Sequence, residues 1–318
     1  MAGSDHPTSV GPRTRIGRLS GRSFLVPDAN TPPMPALAQP GVIHDGGSAE
    51  GFGGIDPSLG YPDVRSFLLK FGLLVPATNT STEHELWSII GRNPGPEGLA
   101  GIGLHTANVM TPRPRFGTAA ELAEYQRQFL GGLRAAVDQA LAAEPQYLIL
   151  GMSLEHIIGG LDGIRAATAA VTDLLDRGMA TWHDAAPAAL TALNAKRIGL
   201  LTAFNEQGNN NAARMFTDLG FEVVTTASFP CELALHIAHL PDWAKEKAIV
   251  ELLATPRNRL DAVVQCGTNM SLMQVTERLE PVLGLPIVGV NAALFWYALR
   301  ENGLDAPLLG AGMLLREH

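Results

Sequence analysis

Cys266 closes the apolar run LDAVVQ (260–265) and opens CGTN (266–269), after which Leu272, Val275, Leu279 and Val282 recur at helical spacing. A thiol on such a strand-to-helix turn meets unpaired backbone N–H groups and the positive end of a helix dipole, which favour a thiolate or an anion bound beside it. That is a place for a sulfur that moves a proton, although most free cysteines are small buried hydrophobes. Three other turns carry polar side chains in comparable settings. In VPATNTSTE (75–83), Thr78, Asn79 and Thr80 add side-chain donors at a helix start, a combination that suits a carboxylate. The same stretch fits a capping box twice, at Thr80–Glu83 and at Thr82–Glu85. In LILGMSLEHIIGG (148–160), Gly151 permits close approach of a ligand, and the Ser153 hydroxyl with nearby N–H groups suits an oxyanion. Ser153 also suits a cap for the helix that follows. Glu155 and His156 are neighbours that face different directions on a helix, which sets them back from a ligand or on the surface. In LTAFNEQGNNN (201–211), Phe204 stands where a strand end lines a cleft, and Asn205 and Asn209 read as turn residues.

Other candidates carry less. His236 and His239 form an HxxH pair without a third ligand, so solvent exposure is the expectation and no metal site is assigned. Asp184 is expected to cap a helix that starts at Pro187, with His183 just before it, and Cys231 reads as an ordinary core or loop cysteine. GIGLHT and GAGMLL lack the third glycine and the downstream acid of a dinucleotide site, and there is no P-loop, so no cofactor is expected.

The elements that must position these turns alternate. From Phe67 onward, apolar runs at 67–75, 101–109, 146–150, 197–202, 221–226, 261–265 and 286–290 are separated by helical stretches at 81–90, 119–143, 161–177, 187–194, 210–220 and after Asn269. Continuous apolar strands between helices indicate parallel sheets covered on both faces. A strand followed by a Thr/Asn turn occurs at 75–83 and again at 201–211; a strand ending in small residues occurs at 148–153 and again at 263–269. This repetition predicts an α/β fold of two pseudo-symmetric Rossmann-like lobes with parallel sheets. The four turns then lie at the carboxyl ends of the strands, around a cleft between the lobes that Cys266 is expected to face. The expected bounds are 66–195 with 291–318 for the first lobe and 196–290 for the second.

Residues 1–65 are a different material, rich in Gly, Pro and Ser without periodicity, and read as a flexible leader. Arg13, Arg15, Arg18 and Arg22 suggest an organelle transit peptide, but acidic residues are present and neither a helical apolar face nor an apolar segment of the secretory kind forms, so a cytoplasmic body is expected. The net charge of −8 argues against a general nucleic-acid or anionic-membrane partner, and no apolar run reaches membrane-span length. Two cysteines among 318 residues do not make a disulfide scaffold.

Taken together, VPATNTSTE, GMSLEHIIGG and CGTNMSLMQVTERLEPVLGLPIVGVNAALFWYALR resemble the Asp/Glu racemase superfamily, in its branch of maleate cis-trans isomerases and arylmalonate decarboxylases. The first turn resembles the isomerases, the second the decarboxylases, and Asn79 and Asn269 are closer to the isomerases. The resemblance implies a site between two lobes, no cofactor and no metal. Racemases and isomerases of the superfamily use a cysteine from each lobe. Here Gly151 stands where the first is expected and Cys266 is the second, the arrangement of the decarboxylases. The implied activity is decarboxylation of a substituted malonate. One carboxylate would be held by Thr78, Asn79, Ser153 and backbone N–H groups, with Met152, Phe204, Asn205, Asn209 and Asn269 near the substrate. The other would lie near Pro76, Leu154 and Ile157 and leave as CO2. Donors including the Gly267 and Thr268 N–H groups would hold the enediolate, and Cys266 would protonate it. Phe204 stands where the decarboxylases carry a tyrosine, so one donor is missing. The implied alternatives are a maleate isomerase or a racemase of a small carboxylic acid. A carboxylate-binding protein without catalysis is a further possibility, in which Cys266 is inert.

Overall fold

The computed structural model describes residues 63–95, 97–111, 115–171, 175 and 177–318; the leader expected at 1–65 lies outside them up to residue 62. The apolar runs form eight strands, in chain order β1 (Leu69–Pro76), β2 (Ile102–Val109), β3 (Tyr147–Leu150), β4 (Met179–Ala180), β5 (Arg197–Thr202), β6 (Glu222–Ser228), β7 (Ala262–Gln265) and β8 (Ile287–Gly289). They build two four-stranded sheets of identical order, β2-β1-β3-β4 and β6-β5-β7-β8, with every pair parallel. Strands β1, β3, β5 and β7 are almost wholly buried, which is why their sequences read as continuous apolar runs rather than alternating ones.

Helices connect and cover the strands: α1 (Thr82–Arg92), α2 (Ala119–Leu141), α3 (Leu161–Ala169), α4 (Trp182–Ala192), α5 (Glu206–Asp218), α6 (Asp242–Ala248), α7 (Met273–Leu283), α8 (Val290–Glu301) and α9 (Met313–Glu317). A capping box fixes the start of α2, where Thr118 accepts from the Glu121 N–H and Glu121 accepts from the Thr118 N–H. Helix α8 follows β8 of the second sheet yet packs on α1, α4, β3 and β4 of the first. Its buried stretch Val290–Trp296 is apolar on nearly every side but for Asn291, as a helix enclosed by other elements must be.

In each sheet the order reverses between the first strand and the third, β1 to β3 and β5 to β7. These are the switch points where the connections leave to opposite sides and open a crevice at the carboxyl ends. The four turns singled out by composition follow those four strands. Two local expectations change. Helix α4 begins at Trp182, not Pro187, so His183 and Asp184 lie in its first turn. Asp184 caps nothing there and instead accepts from the Thr181 hydroxyl. Neither capping box forms at the start of α1, because Asn79 Oδ1 already accepts from the N–H groups of Ser81 and Thr82.

Candidate active site

The four turns close on a cavity of about 30 Å³, room for little more than water. Thr78, Asn79, Ser153, Thr268 and Asn269 supply its polar lining with Gly267, and Pro76, Met152 and Phe204 part of its apolar wall. Sequence reasoning missed the rest of that wall: Phe116 before α2, Tyr125 within it, His156, and Ala234 and Ile237 from a short 3₁₀ turn after β6. Among the described residues that line the cavity there is no Lys or Arg. Among the described residues, the backbone N–H groups of Thr78, Thr268 and Asn269 have no protein acceptor. A wider cleft of about 440 Å³ lies elsewhere, beside Arg92, Glu277 and Arg316, and contains none of the four turns.

The polar lining is a network that ties one lobe to the other. Asn79 Nδ2 donates to Thr268 Oγ1 at 3.0 Å, and Thr268 Oγ1 donates to the Gly151 carbonyl at 3.0 Å. The Thr80 N–H donates to Asn269 Oδ1 at 2.9 Å, while Asn269 Nδ2 donates to the Thr78 carbonyl at 3.1 Å. Behind it, Glu85 on α1 reaches across as a carboxylate fully used as an acceptor. Its Oε1 receives Ser271 Oγ and the N–H groups of Leu272 and Met273, each at 2.8 Å, and its Oε2 receives Asn291 Nδ2 at 2.7 Å. It thereby satisfies the start of α7 in the second sheet's lobe, a place where orphan N–H groups and the helix dipole both favour an anion.

Ser153 does not cap the turn that follows it. Its Oγ accepts instead from the Gly267 N–H at 3.0 Å. Gly267 can present that N–H because it sits at φ +101°, a backbone region costly for any residue with a Cβ. Cys266 departs from expectation more sharply. It is fully buried and does not line the cavity, although Ser153 and Gly267 beside it do. The polar neighbours of its thiol are Glu155 and Trp182. Glu155 and His156 are not on the surface either: both are buried. The His156 ring stacks on Phe204 with centroids 4.6 Å apart and meets Phe116 edge-on at 4.4 Å. Leu154, Gly151, Asn205, Asn209 and Ile157 do not reach the cavity. Leu154 packs behind it; Asn205 accepts from the Gly208 N–H at the start of α5, and Asn209 accepts from the Thr202 hydroxyl. His236 and His239 are both exposed, and among the described residues no group of three or more His, Cys, Asp or Glu is placed to hold a metal. Cys231 is half-buried, its thiol on the Phe229 carbonyl.

Burial sets the acidities. It pushes the Glu155 carboxyl up to about 7, and the Cys266 thiol well above the usual thiol range, with the nearby Glu155 charge adding to the second effect. Burial also raises Glu280 to about 7, although its carboxyl accepts from the N–H groups of Ile287 and Met313. His156 is driven the other way, down to about 3, and is neutral. The consequences for stability oppose one another. Glu155 and Glu280 hold protons in the folded protein that the unfolded chain has released, so stability falls as pH rises from about 4.5 through 7, by up to about 1.4 kcal/mol per unit and group. His156 stays neutral while the unfolded chain's imidazole takes a proton, so stability also falls as pH drops below about 6.5. Two carboxyls outweigh one imidazole between about pH 4.5 and 6.5, so thermal unfolding midpoints are expected to be highest near pH 4.5 and several degrees lower at pH 8. A midpoint that climbs steadily from pH 5 to 8 contradicts this assignment.

Comparison with known proteins places this architecture. A model of the arylmalonate decarboxylase family matches residues 149–315. The maleate isomerase of Nocardia farcinica (strain IFM 10152) is 24% identical over 256 residues, spanning 78% of this chain and 96% of that protein. The same fold is found in a Nocardia farcinica maleate cis-trans isomerase mutant that carries a covalently bound succinylcysteine intermediate. That structure has a TM-score of 0.67 and 21% identity, covering 79% of this chain and 99% of its own. A crystal structure of arylmalonate decarboxylase matches with a TM-score of 0.56 and 18% identity, over 78% of this chain and 100% of its own.

Proposed function

The chain belongs to the arylmalonate decarboxylase family, whose model covers more than half of it, and on that premise we propose that it releases CO2 from a substituted malonate and protonates the product through Cys266. The observation that carries this choice over isomerisation is Gly151. It follows β3 as Cys266 follows β7, and a Cβ added to it would lie 2.8 Å from Val75 Cγ1 and 3.0 Å from the Leu74 carbonyl oxygen. A second thiol at that place would need the Val75 side chain to move and the Leu74 carbonyl to give by a few tenths of an ångström. Cys231, the other cysteine, does not line the cavity. Isomerisation through a covalent adduct needs a nucleophile as well as a proton donor. Decarboxylation forms its carbanion by losing CO2 and then needs one proton donor.

The lining supports the same chemistry. The carboxylate that stays is received by Thr78, Asn79, Ser153 and Asn269, with the uncommitted N–H groups of Thr268 and Asn269 available to the enediolate. The departing carboxylate lies against Phe116, Met152, Phe204 and Ile237, where its charge is poorly solvated and its loss as neutral CO2 is favoured. The cavity opens to admit a diacid, and the same opening brings within reach the thiol of Cys266, next in the chain to the lining residue Gly267. Tyr125 supplies a further donor: among the described residues its buried hydroxyl has only the weak acceptor Met152 Sδ, at 4.0 Å. Tyr125→Phe is expected to lower kcat/KM by roughly tenfold, about 1.4 kcal/mol of lost transition-state binding, with the fold intact. Undiminished kcat/KM would remove Tyr125 from the donor set.

The alternative is cis-trans isomerisation of a small dicarboxylate, favoured by the Nocardia farcinica maleate isomerase that matches over nearly its whole length. Proton NMR in D2O with substituted malonates and with maleate separates the two. A monoacid carrying one new deuterium supports decarboxylation. Fumarate formed from maleate, with no CO2 released from any malonate, replaces it by isomerisation.

A further inference from the structure

Three buried acids occupy comparable positions near the ends of strands and helices, and two of them are saturated with donors. Glu85 receives four hydrogen bonds at 2.7–2.8 Å, and Glu280 receives the N–H groups of Ile287 and Met313 at 2.8 and 2.6 Å. Among the described residues Glu155 receives none of regular geometry: both of its carboxyl oxygens are buried, with the Cys266 thiol, the Ser153 hydroxyl and the likewise unpartnered Trp182 Nε1 close by. A buried acid without partners is destabilising, and a protein that needed only a filled space there would be served by an apolar residue. The groups around it are few. The β7 turn brings the Cys266 thiol, and the residue two before it in sequence brings the Ser153 hydroxyl. The start of α4 brings Trp182 and His183, while α3 and α5 bring the apolar Ile164 and Met215. Farther out, Asp184 and Arg165 act on His183 rather than on Glu155. The gap behind the carboxyl, toward Thr181 and His183, is too narrow for a water molecule.

We propose that Glu155 is the proton partner of Cys266, exchanging a proton with the thiol from the side away from the cleft. The assignment rests on Cys266 as the reactive group of the proposed decarboxylation. In each turnover the S–H bond of Cys266 breaks as the C–H bond of the product forms, leaving a thiolate. The thiolate takes the Glu155 carboxyl proton, and after product release the Glu155 carboxylate regains a proton from water in the opened cavity through the Ser153 hydroxyl, which lines the cavity and neighbours the carboxyl. No electrons change hands, and the one proton consumed replaces the carboxyl group lost as CO2. Burial that keeps the Glu155 carboxyl protonated near neutrality suits it to hold this proton in a closed site. Glu155 lies beside the thiol and outside the cavity lining, so it is a positioning and proton-holding residue, and Cys266 remains the catalytic one.

The test is infrared spectroscopy of the carboxyl C=O band against pH in the wild type and in Cys266→Ala, with Glu155→Asp and Glu155→Gln to assign the band. Loss of the neighbouring thiol, which favours the ionised carboxylate, is expected to move the midpoint up by roughly one unit. In Glu155→Gln, rapid mixing with the malonate substrate is expected to give one product per site at near wild-type rate. Steady turnover then follows at least about a hundredfold slower, with KM little changed. A carboxyl titration that is the same with and without the thiol, or a steady rate in Glu155→Gln equal to wild type, overturns the proposal. Should Glu155→Gln not fold, the Cys266→Ala comparison decides alone, because Glu155 is intact in it. If the wild type acts on neither malonates nor maleate while the midpoint still moves, the decarboxylase reading fails and the proton pair stands.

Discussion

Cys266→Ser lowers steady turnover of the malonate substrate by about a thousandfold or more and leaves the thermal midpoint within a few degrees of wild type. The two halves of this expectation have separate causes. A serine hydroxyl fits the space of the thiol, so packing around the fully buried side chain is preserved apart from the added cost of a small polar group among Glu155 and Trp182. Its proton is far less acidic than that of a thiol, and a positioned proton donor contributes about a hundred- to ten-thousandfold to rate. The check is CO2 release and deuterium incorporation measured beside circular dichroism. Full turnover in the serine variant would show that the thiol donates nothing, and the deuterium label would then have to come from another donor at the cleft. A loss of both fold and activity would mean that Cys266 is a packing residue first.

Glu85→Ala is expected to cost about 3–5 kcal/mol of stability, read as a shift of the urea midpoint, although Glu85 lies outside the cavity lining. The reason is the number of donors that one carboxylate serves. Without it, the Ser271 hydroxyl, the N–H groups of Leu272 and Met273, and Asn291 Nδ2 lose an acceptor inside a buried interface. The first three belong to the entrance of α7, directly after the CGTN turn, and Asn291 belongs to α8. The loss therefore loosens the turn that carries Cys266 and the helix that spans from β8 to the first sheet. Glu85→Gln keeps one acceptor oxygen but turns an amide N–H₂ toward groups that are themselves donors, so it is expected to recover only a small part. A cost below about 1 kcal/mol for Glu85→Ala would show that water or repacking satisfies these groups.

The sheets were legible because buried parallel strands write their burial into the sequence as unbroken apolar runs, as in LKFGLLVP and AVVQ. Strand β4 was not: two residues, Met179 and Ala180, carry too little pattern to separate from their surroundings. The polar turns were legible for the same reason as the strands, since an apolar run that ends in Thr, Asn, Ser or Cys before a helical period marks a strand end. Tyr125 and Phe116 were not, because Tyr125 sits at core spacing on α2 and only the approach of that helix to the β3 turn shows it in the cavity wall. Glu85 reads as a capping residue at a helix start and Glu155 as an acid set back from a ligand or on the surface, and neither carries a sign of its burial. What distinguishes Glu85 is donors 186 to 206 residues away in the chain. What distinguishes Glu155 is donors that no sequence distance reveals as missing.

A resting cavity of about 30 Å³ makes ligand capture a two-step affair. On the proposed reading, a diacid is expected to bind those molecules in which Asn79 has parted from Thr268 and Asn269 from Thr78, and to inherit the donors those bonds release. If about one molecule in a hundred is parted, the apparent affinity is about a hundredfold weaker than the open form's own. The rate of capture then stops rising with ligand concentration once it reaches the rate of parting. Selectivity acquires a gate ahead of any contact with the side group, because a compound must first outcompete the protein's own amides for the same donors.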